Sequence, residues 1–198
     1  MAPTPRFRIG KTGRIRSHFR RLADGECDDI DRFRKHVQDG SATRKRALEK
    51  RAQALPSEIQ EFLAEELWEL DGISRLADQL SIVGLYRAAE VNTARMLGHA
   101  FGKAAMKNAS SVDKLTQFLK RENVVLASVP HFRAIDELRL LNNAVKHDGR
   151  VTKQLSQKYR RWREGEKLEG LDNAYEKLRP KVPMYIFRLA QRLKLRYK

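Results

Sequence analysis

Arg139, Asn142, Asn143, Lys146 and His147 bring a guanidinium, two amides, an ammonium and an imidazole into one short stretch of the chain. At about 100° per residue, Arg139, Asn143 and His147 stack at successive i, i+4 positions with Lys146 beside them. Ala134, Leu138, Leu141 and Val145 fall on another side, so a polar stripe follows a helix that has an apolar side to bury. A cation, an amide and an imidazole at a helix end can grip a phosphate and move a proton, the minimum equipment for cleaving RNA without a metal. The same residues also fit a plainer role, a solvent face whose terminal histidine meets the negative end of the helix dipole.

Other chemistries find little in the sequence. Gly10-Lys11-Thr12-Gly13 echoes the end of a phosphate-binding P-loop, but Pro5 stands where that loop needs a glycine, and no strand precedes it. His18, His36, His99, His131 and His147 form neither an H-E-x-x-H pair nor a paired spacing with cysteine, so no metal site is expected. No G-x-S-x-G elbow exists to present a nucleophilic serine, and no cofactor motif is present.

The charge points to a polyanionic partner. The 198 residues include 41 Lys and Arg against 25 Asp and Glu, a formal charge of +16 with a pI near 10.3. Such a field attracts RNA or another nucleic acid, and equally an acidic protein or an anionic membrane surface. Arg44, Lys45 and Arg46, followed by Lys50 and Arg51, form one basic segment, and Lys158, Arg160, Arg161 and Arg163 form another. These are the candidate phosphate contacts, with Tyr159 and Trp162 placed either to stack on unpaired bases or, for Trp162, to anchor its helix on the core.

The single cysteine, Cys27, precludes an intrachain disulfide, and a reducing cytoplasmic location follows. No stretch approaches the ~20 apolar residues of a membrane helix, so no membrane partner is expected. Arg6, Arg8, Lys11, Arg14, Arg16, Arg20 and Arg21 all precede the first acid, Asp24. That run suits an arginine arm for nucleic acid, or a mitochondrial presequence.

The elements that must hold the polar stripe read as all-α. The sequence predicts a basic arm through Gly13, a short charged helix from Asp28 ended by Asp39-Gly40, and a basic helix through Ala54. Ile59, Phe62, Leu63, Leu67 and Leu70 keep helical spacing until Asp71-Gly72. From Ile73 to Phe101 one stripe of Ile73, Leu76, Ala77, Leu80, Val83, Val91, Ala94, Leu97 and Phe101 predicts a long bundle helix, in which Gly84 permits a close approach. Ser111 caps a helix to Arg121, and Pro130 precedes a helix from His131 to His147 that Asp148-Gly149 ends. A basic helix is expected over Val151–Glu164, and a final one after Pro180 and Pro183. The expected organisation is a basic arm and charged helical extension over 1–70 and a helical bundle over 71–198.

Asn142-Asn143-Ala144-Val145-Lys146-His147-Asp148-Gly149 resembles the R-x4-6-H motif of the HEPN superfamily of small α-helical bundles, including a common K-H-x-G ending. Ile82 to Glu90 is similar to the family's long helix, where an acidic residue often faces inward. The resemblance covers roughly residues 71–198. It implies a homodimer whose motif helices meet at a shared cleft, and often a metal-independent endoribonuclease of toxin or defence type, controlled by an antitoxin or another regulatory protein. On that model His147 is the general base or acid, Asn143 orients the substrate or the imidazole, and Lys146 steadies phosphate charge. The motif's arginine position falls on Asn142, whose amide lacks a guanidinium's charge, and Arg139 one turn earlier is the candidate substitute. The alternative is a non-catalytic HEPN-like module that binds nucleic acid or protein.

Overall fold

Two long helices dominate the chain. A computed structural model, described for residues 11–53 and 56–193, contains seven α-helices and two short 3-10 helices among those residues, and no β-strand. The helices are α1 (Lys11–Ala52), α2 (Ser57–Phe101), α3 (Val112–Arg121), α4 (Phe132–His147), α5 (Lys153–Lys158), α6 (Leu171–Leu178) and α7 (Lys181–Arg192). The all-α class is as expected from the scattered β-branched residues and the helical spacing of the apolar ones. The stretch before Lys11, part of the expected basic arm, lies outside the described residues, and Lys11 to Gly13 belong to α1.

Asp39-Gly40 and Asp71-Gly72 do not end helices; they lie inside α1 and α2. A mid-helix glycine costs only about 1 kcal/mol relative to alanine, which burial elsewhere along the same helix outweighs. In α1, Ile15, Phe19, Ala23 and Cys27 are buried at four-residue steps, and Arg34, Ser41 and Leu48 continue at seven-residue steps. Leu63 of α2 is buried as well, so residues on both sides of position 71 supply core.

The chain divides into two compact units that each draw on α1, α2 and α4. One combines residues through Glu26 with Arg87–Asp136 and the segment from Pro180, and the other combines Cys27–Tyr86 with Glu137–Arg179. In the second unit α1 and α2 run antiparallel, since Arg34 pairs with Asp78 and Lys45 with Asp71. Gly84 permits the close approach expected of it: a Cβ there would stand 3.2 Å from Ile30 Cδ1. In the first unit Glu26 of α1 accepts from both Asn92 and Arg95 of α2.

The buried face of α2 differs from the expected stripe. Ile73, Leu76 and Leu80 are about half exposed, while Ser81, Ile82, Leu85, Ala88, Ala89, Asn92, Thr93 and Met96 are buried with Ala77 and Leu97. Polar residues can occupy this face because each finds a backbone partner one turn back. Ser81 Oγ donates to the Ala77 carbonyl at 2.7 Å, Asn92 Nδ2 to Ala88 at 2.9 Å and Thr93 Oγ1 to Ala89 at 2.8 Å.

The later elements follow their signals more closely. Ser111 caps α3 by accepting from the Lys114 amide, and α4 ends at His147 with Gly149 left-handed and its N–H on the Ala144 carbonyl, a Schellman-type stop. The expected basic helix over Val151–Glu164 is shorter, Lys153–Lys158, with Thr152 as its cap. Beyond it Tyr159 and Trp162 turn inward and Val151 exchanges backbone hydrogen bonds with Glu166 and Gly165, an arrangement a continuing helix could not make. The last helix includes Pro183 rather than following it, because a first-turn residue has no intrahelical N–H bond to lose.

Candidate functional site

α4 is buried almost all round along its length. Ile135, Asp136, Leu138, Leu140, Leu141, Asn142 and Ala144 are buried, and Glu137, Arg139, Asn143 and Val145 half-buried. It opens to solvent at Arg133 in its first turn and at its C-terminal end, where Lys146 and His147 are exposed. The polar stripe is therefore graded: Arg139 and Asn143 stand at the wall of the helix and the imidazole and ammonium project at its end.

Asn142 is set apart from this exposed group. It is only 2% exposed, its Oδ1 has no hydrogen-bond partner, and its Nδ2 reaches Asn143 Oδ1 at 3.4 Å, a long contact. A substrate at the open end of α4 would meet Asn143, Lys146 and His147 rather than this amide. Arg139 is not idle, being engaged in an interaction of its own within the fold. Its availability to a phosphate depends on giving that interaction up.

The side chains picked out for nucleic acid divide into committed and exposed groups. Glu137 Oε1 accepts from Arg161 Nε at 2.8 Å and from Trp162 Nε1 at 2.9 Å, and the Arg161 guanidinium lies 4.9 Å from the Trp162 ring centroid. Arg161 thus anchors its segment to α4. Tyr159 and Trp162 are both buried, which removes them as stacking platforms and fits Trp162's role as a core anchor. Arg44 pairs with Glu66 at 3.0 Å and Lys45 with Asp71 at 3.2 Å, both at the surface, where such pairs exchange readily with other anions. Arg163 stands 3.7 Å from Glu166, Lys158 has a partner within the fold, and Arg46 and Arg160 are exposed.

No protein-family model matches this chain, and neither a curated protein nor a solved structure does. Function must be read from the residues themselves. Among the described residues no group of three or more His, Cys, Asp or Glu is placed to hold a metal ion, and no helix is long and apolar enough to cross a membrane.

Sequence patterning missed two features. The first is the buried network around Arg34, which is hydrogen-bonded to Asp78 and Glu176 and stacked on Tyr175. Burial alone would lower the Arg34 pKa, and the two carboxylates outweigh it and raise it. The second is a cationic cleft of about 660 Å³ lined by Arg14, Ser17, His18 and Arg21 of α1 and His99 of α2. The spacing of Arg14, His18 and Arg21 at i, i+4 and i+7 is visible in the sequence, whereas the arrival of His99 is not.

Proposed function

We propose that this protein is a HEPN-like, RNA-binding helical module whose motif helix, α4, presents Asn143, Lys146 and His147 to the nucleic acid without the arginine on which the family's cleavage motif depends. The observation that carries this is the contrast within α4 between an exposed Lys146–His147 end and a buried Asn142. A neutral, inward-facing amide can neither neutralise a scissile phosphate nor reach it, whereas the end of α4 keeps a cation and an imidazole in solvent. The +16 charge supplies the long-range attraction for an RNA backbone.

Cleavage is the second reading, favoured by the exposure of His147 beside Lys146. An accessible imidazole can take the ribose 2′-OH proton, and an adjacent ammonium can steady the phosphorane. Pairing of two copies through α4 lacks support from an apolar face, because α4 has none exposed. Among the described residues of the second unit, the exposed large apolar side chains are instead Trp68, Ile73, Leu76 and Leu80 of α2 and Phe33 of α1, which suit a second copy or a regulatory partner such as an antitoxin.

The test is labelled single-stranded RNA incubated with wild type and with His147→Ala in EDTA, with fragment ends and filter binding measured together. Salt-sensitive binding by both, with no fragments, is the expected result. Cyclic-phosphate fragments from wild type alone would replace it with the ribonuclease reading, and absence of binding would remove RNA as the partner.

A further inference from the structure

The cleft on the first compact unit has the composition of a phosphate site. Arg14, His18 and Arg21 fall on one side of α1 within about 60° of one another, so their side chains form a row rather than a ring. Ile15 and Phe19, the neighbouring positions, are buried and make an apolar floor. His99 closes the cleft from α2, with its ring edge-on to Phe19 at 5.7 Å, and His18 stands edge-on to the same ring at 5.8 Å. Among the described lining residues there is no carboxylate. The acid nearest in sequence, Asp24, faces Arg20, which is not part of the lining. Arg14 and Arg21 are exposed and, among the described residues, neither forms an ion pair.

Two exposed guanidiniums above an apolar floor, flanked by two exposed imidazoles, offer separate places for charge and for a flat ring. We propose that this cleft binds single-stranded RNA, with Arg14 and Arg21 on successive phosphates and a base lying against His18 and His99. A carboxylate-rich polypeptide would use the arginines but has no flat ring for the imidazoles, which is why nucleic acid is the better fit. A cleft of about 660 Å³ lies within the ~300–1,000 Å³ of sites that enclose small ligands, enough for roughly a nucleotide or two. The inference rests on the RNA-binding reading above and gives that reading a second contact surface, away from the α4 terminus in sequence and on a different unit.

The experiment measures anisotropy of a labelled single-stranded RNA on the full chain over a salt series. The variants are Arg14→Ala/Arg21→Ala, His18→Ala/His99→Ala, and a charge-matched control, Lys120→Ala/Arg121→Ala, at the end of α3. Circular dichroism melts verify that each folds. The arginine pair should lose about tenfold or more in affinity, and its log K against log salt slope should flatten by about 1.4, two contacts at ~0.7 each for a single strand. The histidine pair should weaken single-stranded RNA more than duplex of equal length, and the control should move affinity less than about threefold. Equal losses in the arginine pair and the control, with wild type binding normally, would overturn the cleft and leave the RNA reading standing. No binding by wild type would overturn both. Displacement of the RNA by polyglutamate at equal charge, lost in the same arginine variant, would reassign the cleft to an acidic polypeptide and overturn the RNA proposal.

Discussion

Arg34 Nε donates to Asp78 Oδ1 at 2.9 Å while its guanidinium carbon lies 4.7 Å from the Tyr175 ring centroid, so one side chain of α1 joins α2 and α6 within a single compact unit. Both members of the pair are largely shielded, at 11% and 17% side-chain exposure. The same guanidinium donates to Glu176, and Gln38 Nε2 donates to Asp78 at 3.1 Å. Arginine serves this position because its planar fork can meet two carboxylates and an aromatic face together.

Arg34→Ala should cost about 2–3 kcal/mol, read as a lower urea midpoint with an unchanged slope. That is below the range for a fully buried pair because Glu176 is solvated and Gln38 still serves Asp78. Arg34→Lys should recover only part of the loss. A change below about 0.5 kcal/mol for alanine would show that the network is not what joins these helices.

Tyr175 gives a test at alkaline pH. Burial first, and then its hydrogen bond to Asp31 at 2.6 Å, push its phenol well above the usual range. The unfolded chain releases that proton near pH 10 while the folded chain keeps it, so the folded state binds more protons and stability falls as pH rises above about 10. Tyr175→Phe should cost about 1 kcal/mol at neutral pH and show a shallower alkaline decline. Identical alkaline slopes in denaturant titrations would contradict the assignment. Asp31 keeps Arg179 as a partner at 2.9 Å in the variant.

His131 should act in the opposite pH direction. Burial first, followed by the Lys181 and Arg188 cations, holds its imidazole below the ordinary value. As pH falls through about 6.5 the unfolded chain takes up a proton that the folded chain resists, so stability is present above that pH and declines below it. His131 also adopts a left-handed backbone, φ 70°, which asparagine tolerates. His131→Asn should therefore keep the start of α4 and lose less stability between pH 7 and pH 5 than wild type. A decline as steep as that of wild type would rule out His131 as its source.

Asn142 separates recognition from catalysis. Asn142→Arg restores the motif's missing guanidinium, but at a position 2% exposed. A buried arginine without a carboxylate costs several kcal/mol, so the variant should melt well below wild type and gain no RNA cleavage. A stable variant that cleaves RNA in EDTA would mean that α4 can rotate or shift to present position 142.

Local signals read well where they involve backbone geometry. Ser111 as a cap, Gly149 as a left-handed stop and Gly84 as a close-approach site were all legible in the sequence, because each depends on what one residue's backbone or missing side chain permits. The glycines at 40 and 72 misled, because a propensity cost of about 1 kcal/mol competes with burial spread along many turns. Hydrophobic patterning found the buried face of α2 only in part, at Ala77 and Leu97. Ile73, Leu76 and Leu80 are the stronger hydrophobes, yet small residues and locally hydrogen-bonded Ser81, Asn92 and Thr93 form the buried face.

By itself the sequence determined the all-α class, the +16 charge, and the order Asn143, Lys146, His147 on one late helix, since composition and a 3.6-residue period require no knowledge of neighbours. Only the tertiary structure decided that Asn142 and Trp162 are buried, that Arg161 is tied to Glu137, and that His99 meets the row of Arg14, His18 and Arg21. Those facts depend on which helix faces are brought together. That choice is made by summed burial and pairing between residues far apart in the chain, which no local pattern encodes.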